Sequence, residues 1–116
     1  VFIELFSGRD DVIVQTENGN SSWFGFSIVL NGKLSGKRKE LLATFSNHGI
    51  ETRPIVAGNF TTNPVMKHLD YAELQEFPIA ERIHKDGFFI GNHHLDFRDK
   101  IKMVYEVFDN FAKENK

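Results

Sequence analysis

The chain has no cysteine, so disulfide frameworks, thiolate nucleophiles and cysteine-ligated metals are all excluded. That absence fits a reducing, cytoplasmic setting. A formal net charge of -2, with no basic stripe, leaves no electrostatic footprint for nucleic acid. No apolar run is as long as a membrane span, and the longest, Trp23 to Leu30, is interrupted by Gly25 and Ser27. Gly-x-Ser-x-Gly, GxxxxGK[ST], GxGxxG and HExxH patterns are missing too, and with them a nucleophile elbow, a phosphate loop and a zinc helix. There is no internal repeat, no low-complexity tract and no signal-peptide pattern.

What is present suits one globular domain of 116 residues with ordinary apolar and charged content. Twelve phenylalanines are a heavy load for this length, and such rings bury against something. The opening Val1-Phe-Ile-Glu-Leu-Phe6 is too short to classify and reads like the tail of an element. The expectation is a fragment or domain of a longer polypeptide.

Two stretches echo each other: Glu51-Thr-Arg-Pro-Ile-Val-Ala-Gly-Asn-Phe60 and Asp86-Gly-Phe-Phe-Ile-Gly-Asn-His-His-Leu95. In both, a short apolar run stops at Gly-Asn, which permits a tight turn or a close approach to a ligand. The ends either lie side by side as a site or merely punctuate strands.

Hydrophobic periodicity predicts strands near 12–16, 23–30, 50–56 and 88–91, with Pro54 marking the third as an edge or irregular strand. In the second, Phe24, Phe26, Ile28 and Leu30 should face the core, and Trp23, Gly25, Ser27 and Val29 a flat outer surface. Helices are expected over Lys37–His48, over Ile79–Lys85 after Pro78, and over Asp99–Lys113, with a helical turn near Val65–Leu69. Lys37-Arg-Lys39 reads as a solvated helix face and Lys113 to Lys116 as a frayed tail. The sum is an α/β two-layer sandwich whose helices cover one sheet face and leave a Phe-rich face uncovered by this chain.

The histidines do not suggest a metal site: neighbours such as His93 and His94 on a strand point to opposite faces. Arg53 could fork onto a carboxylate or phosphate oxygen, or equally pair with an acidic neighbour. Asn59, Asn92, His93 and His94 are hydrogen-bonding groups at strand ends. Nothing resembles a self-sufficient active site.

Ser21-Ser-Trp-Phe-Gly-Phe-Ser27, Gly49-Ile-Glu-Thr-Arg-Pro54, Gly58-Asn-Phe60, Phe77-Pro-Ile-Ala-Glu-Arg82 and Gly87-Phe-Phe-Ile-Gly-Asn-His93 follow in an order that spans nearly the whole chain. It resembles the C-terminal part of the DegT/DnrJ family of pyridoxal-phosphate-dependent nucleotide-sugar enzymes, in its lipopolysaccharide-biosynthesis branch with the 4-keto-6-deoxysugar 3-dehydrases. The resemblance implies the small C-terminal domain, residues 1–116, of a type I aminotransferase fold. A large upstream domain would hold pyridoxal phosphate and the catalytic lysine, or the histidine that replaces it, within a homodimer. By resemblance, Arg53, Asn59, Phe60, Asn92 and His93 lie nearest a nucleotide sugar or amino-acid cosubstrate, and the chain alone should not catalyse. The competing reading is a stand-alone small α/β binding or regulatory module.

Overall fold

The alternating stretch from Gly25 onward forms the middle of the sheet. The computed structural model describes residues 1–72 and 75–115. Strands β1 (Val12–Val14), β2 (Gly25–Leu30), β3 (Thr52–Arg53) and β4 (Gly87–Gly91) pair antiparallel in the order β1-β2-β4-β3. The helices are α1 (Phe2–Phe6), α2 (Arg38–Asn47), α3 (Pro78–Asp86) and α4 (Arg98–Glu114). Short 3-10 turns occupy Gly32–Leu34, Phe60–Thr62 and Pro64–His68. The two-layer α/β expectation holds, and β3 lies at a sheet edge, but the strand expected over 50–56 pairs only at Thr52–Arg53 and stops before Pro54, which has no N–H to continue the ladder.

The core lies between the sheet and α1, α2 and α4. Ile28, Leu30, Phe88 and Ile90 from the sheet meet Leu41 and Phe45 of α2 and Ile101, Val104 and Phe108 of α4, all buried. The helical spacing of the α4 residues places them on one stripe, which is why this polar helix docks. Burying each large side chain of this set contributes about 2–3 kcal/mol. The unclassified opening proves helical, with Phe2 and Phe6 buried in the same core.

The outer sheet face differs from the expectation. Phenylalanines 2, 6, 45, 88, 108 and 111 are buried on the helix side, so the outer face is not Phe-rich. Register places Ile13, Ser27, Val29 and Phe89 there instead. Nor is it wholly uncovered by this chain. A Cβ on Gly87 would lie 2.9 Å from Cδ1 of Ile55, so the turn after β3 reaches that corner.

Phe24 is a second correction. It is 86% exposed, whereas Trp23 packs edge-on against Phe2 and Phe26. Regular pairing starts only at Gly25, so strand alternation does not extend back to these two residues. Gly25 itself is explained by close approach: a Cβ there would lie 2.6 Å from Cδ2 of Phe89.

The two Gly-Asn ends do not meet. Because β3 and β4 run antiparallel, with Thr52 opposite Ile90 and Arg53 opposite Phe89, the end of one lies toward the start of the other. Gly58 therefore abuts His84 of α3. Asn92 lies at the far end, beside Phe24.

The basic cluster is partly structural. Arg38 Nη1 donates to the carbonyls of His84 and Gly87 at 2.6 and 2.9 Å, and Lys37 Nζ to Asn115 Oδ1 at 2.9 Å. Asn115 Nδ2 also donates to the Phe111 carbonyl, so the tail through Asn115 is held rather than frayed. Lys116 lies outside the described residues.

Candidate functional site

A cleft of about 980 Å³ opens between β3 with the turn after it, the end of β4 and the first turns of α4. Its apolar walls include Phe24, Phe89, Phe97 and Met103, and its polar groups are Glu51, Arg53, Asn92, His93 and Lys100. Aromatic walls with a few placed polar groups are the ordinary composition of a small-molecule site.

Arg53 reaches the cleft because β3 is an edge strand of two residues, which leaves its side chain 66% exposed. Its Nη2 lies 2.5 Å from Oε1 of Glu51, an ion pair open to solvent. The acidic neighbour anticipated from the sequence therefore exists, on the cleft wall itself.

Asn92 follows the last residue of β4 and ties that end to the start of β2. Its Nδ2 donates to the Trp23 carbonyl at 2.9 Å, its backbone N–H to the Phe24 carbonyl at 3.3 Å, and its Oδ1 accepts from His93 N–H at 2.8 Å. His93 and His94 are off the strand, so the alternation expected for them fails. Their rings stack with centroids 4.3 Å apart, and His93 also lies near-parallel to Phe97 at 6.4 Å. Asp96 and Arg98 pair beside this turn, and the guanidinium and backbone N–H of Arg98 hold the Asp96 carboxyl down at about 2.

Asn59 and Phe60 lie elsewhere. Asn59 is 7% exposed; its Nδ2 donates to Glu81 at 3.1 Å and its Oδ1 accepts from the backbone N–H and hydroxyl of Thr61 at 3.2 and 2.7 Å. That bond, followed by the Lys85 ammonium, lowers the Glu81 carboxyl below its ordinary range. Phe60 begins the 3-10 turn after Asn59 and is about half exposed. The structure thus brings Arg53, Asn92 and His93 to one cleft and leaves Asn59 and Phe60 outside its walls.

Phe24, Lys100 and Glu51 are cleft residues that the site assignment from sequence left out. Phe24 was hidden by its expected place in the core, and Lys100 is one lysine among several on a charged helix surface. The walls carry two cations, one carboxylate, an amide and an imidazole, groups suited to binding and orientation. Among the described residues, no three His, Asp or Glu side chains gather closely enough to hold a metal ion.

The sequence profile of the DegT/DnrJ/EryC1/StrS aminotransferase family matches residues 3–109. The GDP-4-keto-6-deoxy-D-mannose 3-dehydratase of Yersinia pseudotuberculosis is 43% identical over 108 residues, which are 92% of this chain and 28% of that protein. The solved E. coli GDP-4-keto-6-deoxy-D-mannose-3-dehydratase with bound hydrated PLP superimposes with a TM-score of 0.84 at 40% identity, over 91% of this chain and 28% of that one. A mutant GDP-4-keto-6-deoxymannose-3-dehydratase with bound GDP-perosamine gives a TM-score of 0.83 at 39% identity, over the same shares. The chain thus spans little more than a quarter of these relatives.

The described residues do not by themselves form a site for pyridoxal phosphate, which needs a lysine or its substitute at the aldehyde and an acid at the ring nitrogen. The buried carboxylate, Asp86, is occupied by the Ser35 hydroxyl and the Gly36 N–H, both at 2.7 Å. In the cleft, Lys100 is exposed and Glu51 is bound to Arg53. With a family profile that matches nearly its whole length, the chain belongs to the DegT/DnrJ/EryC1/StrS aminotransferase family.

Proposed function

We propose that residues 1–116 are the C-terminal small domain of a PLP-dependent enzyme that removes a hydroxyl from, or transfers an amino group to, a nucleotide sugar. The product would enter deoxysugar and lipopolysaccharide O-antigen biosynthesis. The observation that carries this reading is the cleft: Arg53, Asn92 and His93 share it, in a chain that superimposes on a GDP-sugar 3-dehydratase with a TM-score of 0.84.

In this role the domain binds and closes, while the chemistry belongs to pyridoxal phosphate, which acts as an electron sink when held by residues outside this chain. Arg53 would take an oxygen anion of the nucleotide sugar or of the amino-acid cosubstrate. Exchanging its exposed partner Glu51 for a phosphate costs little, because such surface pairs contribute only about 0–1 kcal/mol. Phe24, Phe89 and Phe97 would shield the ligand from water. Asn59 and Phe60 would act at a distance from these walls, through the turn that Asn59 organises against α3. The working enzyme would be a cytoplasmic homodimer.

The test is a chimera in which this chain replaces the matching C-terminal segment of the E. coli relative. Turnover of GDP-4-keto-6-deoxy-D-mannose is the expected outcome. A folded, PLP-loaded chimera that neither binds nor turns over the sugar would overturn the reading and favour a separate binding module.

A further inference from the structure

The backbone N–H of Leu95 donates to Nδ1 of His93 at 3.2 Å. A nitrogen that accepts a hydrogen bond carries no proton, so the neutral ring bears its proton on Nε2. Three further contacts hold the turn and its ring. Asn92 Oδ1 holds the His93 N–H at 2.8 Å, Asn92 Nδ2 anchors the turn to the Trp23 carbonyl at 2.9 Å, and the imidazole stacks on His94. Nε2 has no hydrogen-bond partner among the described residues, and His93 lines the cleft.

We propose that His93 is a fixed, neutral hydrogen-bond donor whose Nε2–H binds an uncharged acceptor oxygen, a hydroxyl or keto oxygen of the sugar. Asn92 is then a positioning residue, its amide committed to the turn. This rests on the domain reading above and assigns separate tasks within one cleft: Arg53 takes anionic oxygen and His93 neutral oxygen. A neutral donor suits a keto sugar because it orients the oxygen without transferring a proton to it. The bond from Leu95 N–H and the stacking on His94 both favour this ring orientation, which lowers the ordering cost when a ligand arrives.

The tautomer is read directly from long-range ¹H–¹⁵N correlation spectra of the histidines. The folded 116-residue chain should show His93 with an unprotonated Nδ1 and a protonated Nε2, and Asn92→Ala should turn that pattern into a tautomer mixture. Binding is read in the chimera with GDP-mannose as the probe. His93→Gln, which places an N–H near the position of Nε2, should keep the dissociation constant within about 3-fold. His93→Asn and His93→Phe should weaken it about 10-fold, the size of one hydrogen bond. A protonated Nδ1, or a His93→Phe chimera that binds as well as the parent, overturns the donor alone. A parent chimera that does not bind the probe overturns the domain reading and the donor with it.

Discussion

Arg9 Nη1 lies 2.8 Å from Oδ1 of Asp109, a contact that spans a hundred positions of the chain. Its Nε and Nη2 meanwhile hold both oxygens of Asp11 at 2.7 and 2.6 Å, and its guanidinium carbon sits 5.0 Å from the Phe108 ring centroid. One side chain thus fastens the turn after α1 to the long helix α4. The hydrogen bonds that Arg9 donates to Asp11 lead the interactions that raise its pKa above its already high ordinary value, so the charge is permanent. Replacing Arg9 with alanine leaves two carboxylates without their shared partner. The expected loss is about 2 kcal/mol, read as a shift of the urea midpoint at unchanged slope.

The same cluster gives the fold an acid limb. The Asp109 carboxyl is held below its ordinary value, first by Lys113 and then by Arg9. A depressed carboxylate contributes stability above the unfolded value near pH 3.9 and loses it as pH falls through the lower folded value. Asp109→Asn should therefore cost stability at pH 7 and flatten the decline below about pH 4. Urea midpoints compared at pH 7 and pH 3 decide this, and a decline as steep as that of the parent chain would locate the acid sensitivity elsewhere.

Two glycines separate backbone strain from steric exclusion. Gly36 has φ of +83° with nothing within 4 Å of an added Cβ, so Gly36→Ala should cost only the left-handed backbone term, about 1 kcal/mol. Gly58 has φ of +58°, and its Cβ would lie 2.6 Å from Nδ1 and 2.8 Å from Cα of His84. Gly58→Ala should cost at least about 1–2 kcal/mol more, since the helix backbone has to move. Equal losses for the two variants would show that the turn after β3 shifts freely.

At the cleft, Arg53→Ala in the chimera should raise KM for the GDP-sugar about 10-fold with little change in kcat, the mark of uniform binding. Glu51→Gln removes the competing carboxylate and should leave KM unchanged or lower it. A fall in kcat alone for Arg53→Ala would mean that the guanidinium acts on the reacting centre.

Much of the fold was legible because its signals are local. Pro78 opens α3 and the apolar stripe of α4 follows its helical period, so both helices lie within a residue or two of expectation. Strand pairing is nonlocal and defeated the same reasoning. The direction in which β3 meets β4 decides whether two Gly-Asn ends come together, and no residue within either stretch encodes it. Phe24 misled because alternation has the same appearance in a strand and in the irregular residues before one. The cleft was partly legible. Arg53 and His93 stood out by residue type, while Lys100 belongs to it through the position of α4 and Phe24 through its ring contact with Phe89 of β4.

The outermost strands of the sheet, β1 and β3, are only three and two residues long. A strand arriving from another molecule would find few free backbone groups to extend from at either border. The apolar central pair β2 and β4 is flanked on both sides. Edge-to-edge growth of the sheet from molecule to molecule therefore has little described backbone to start from.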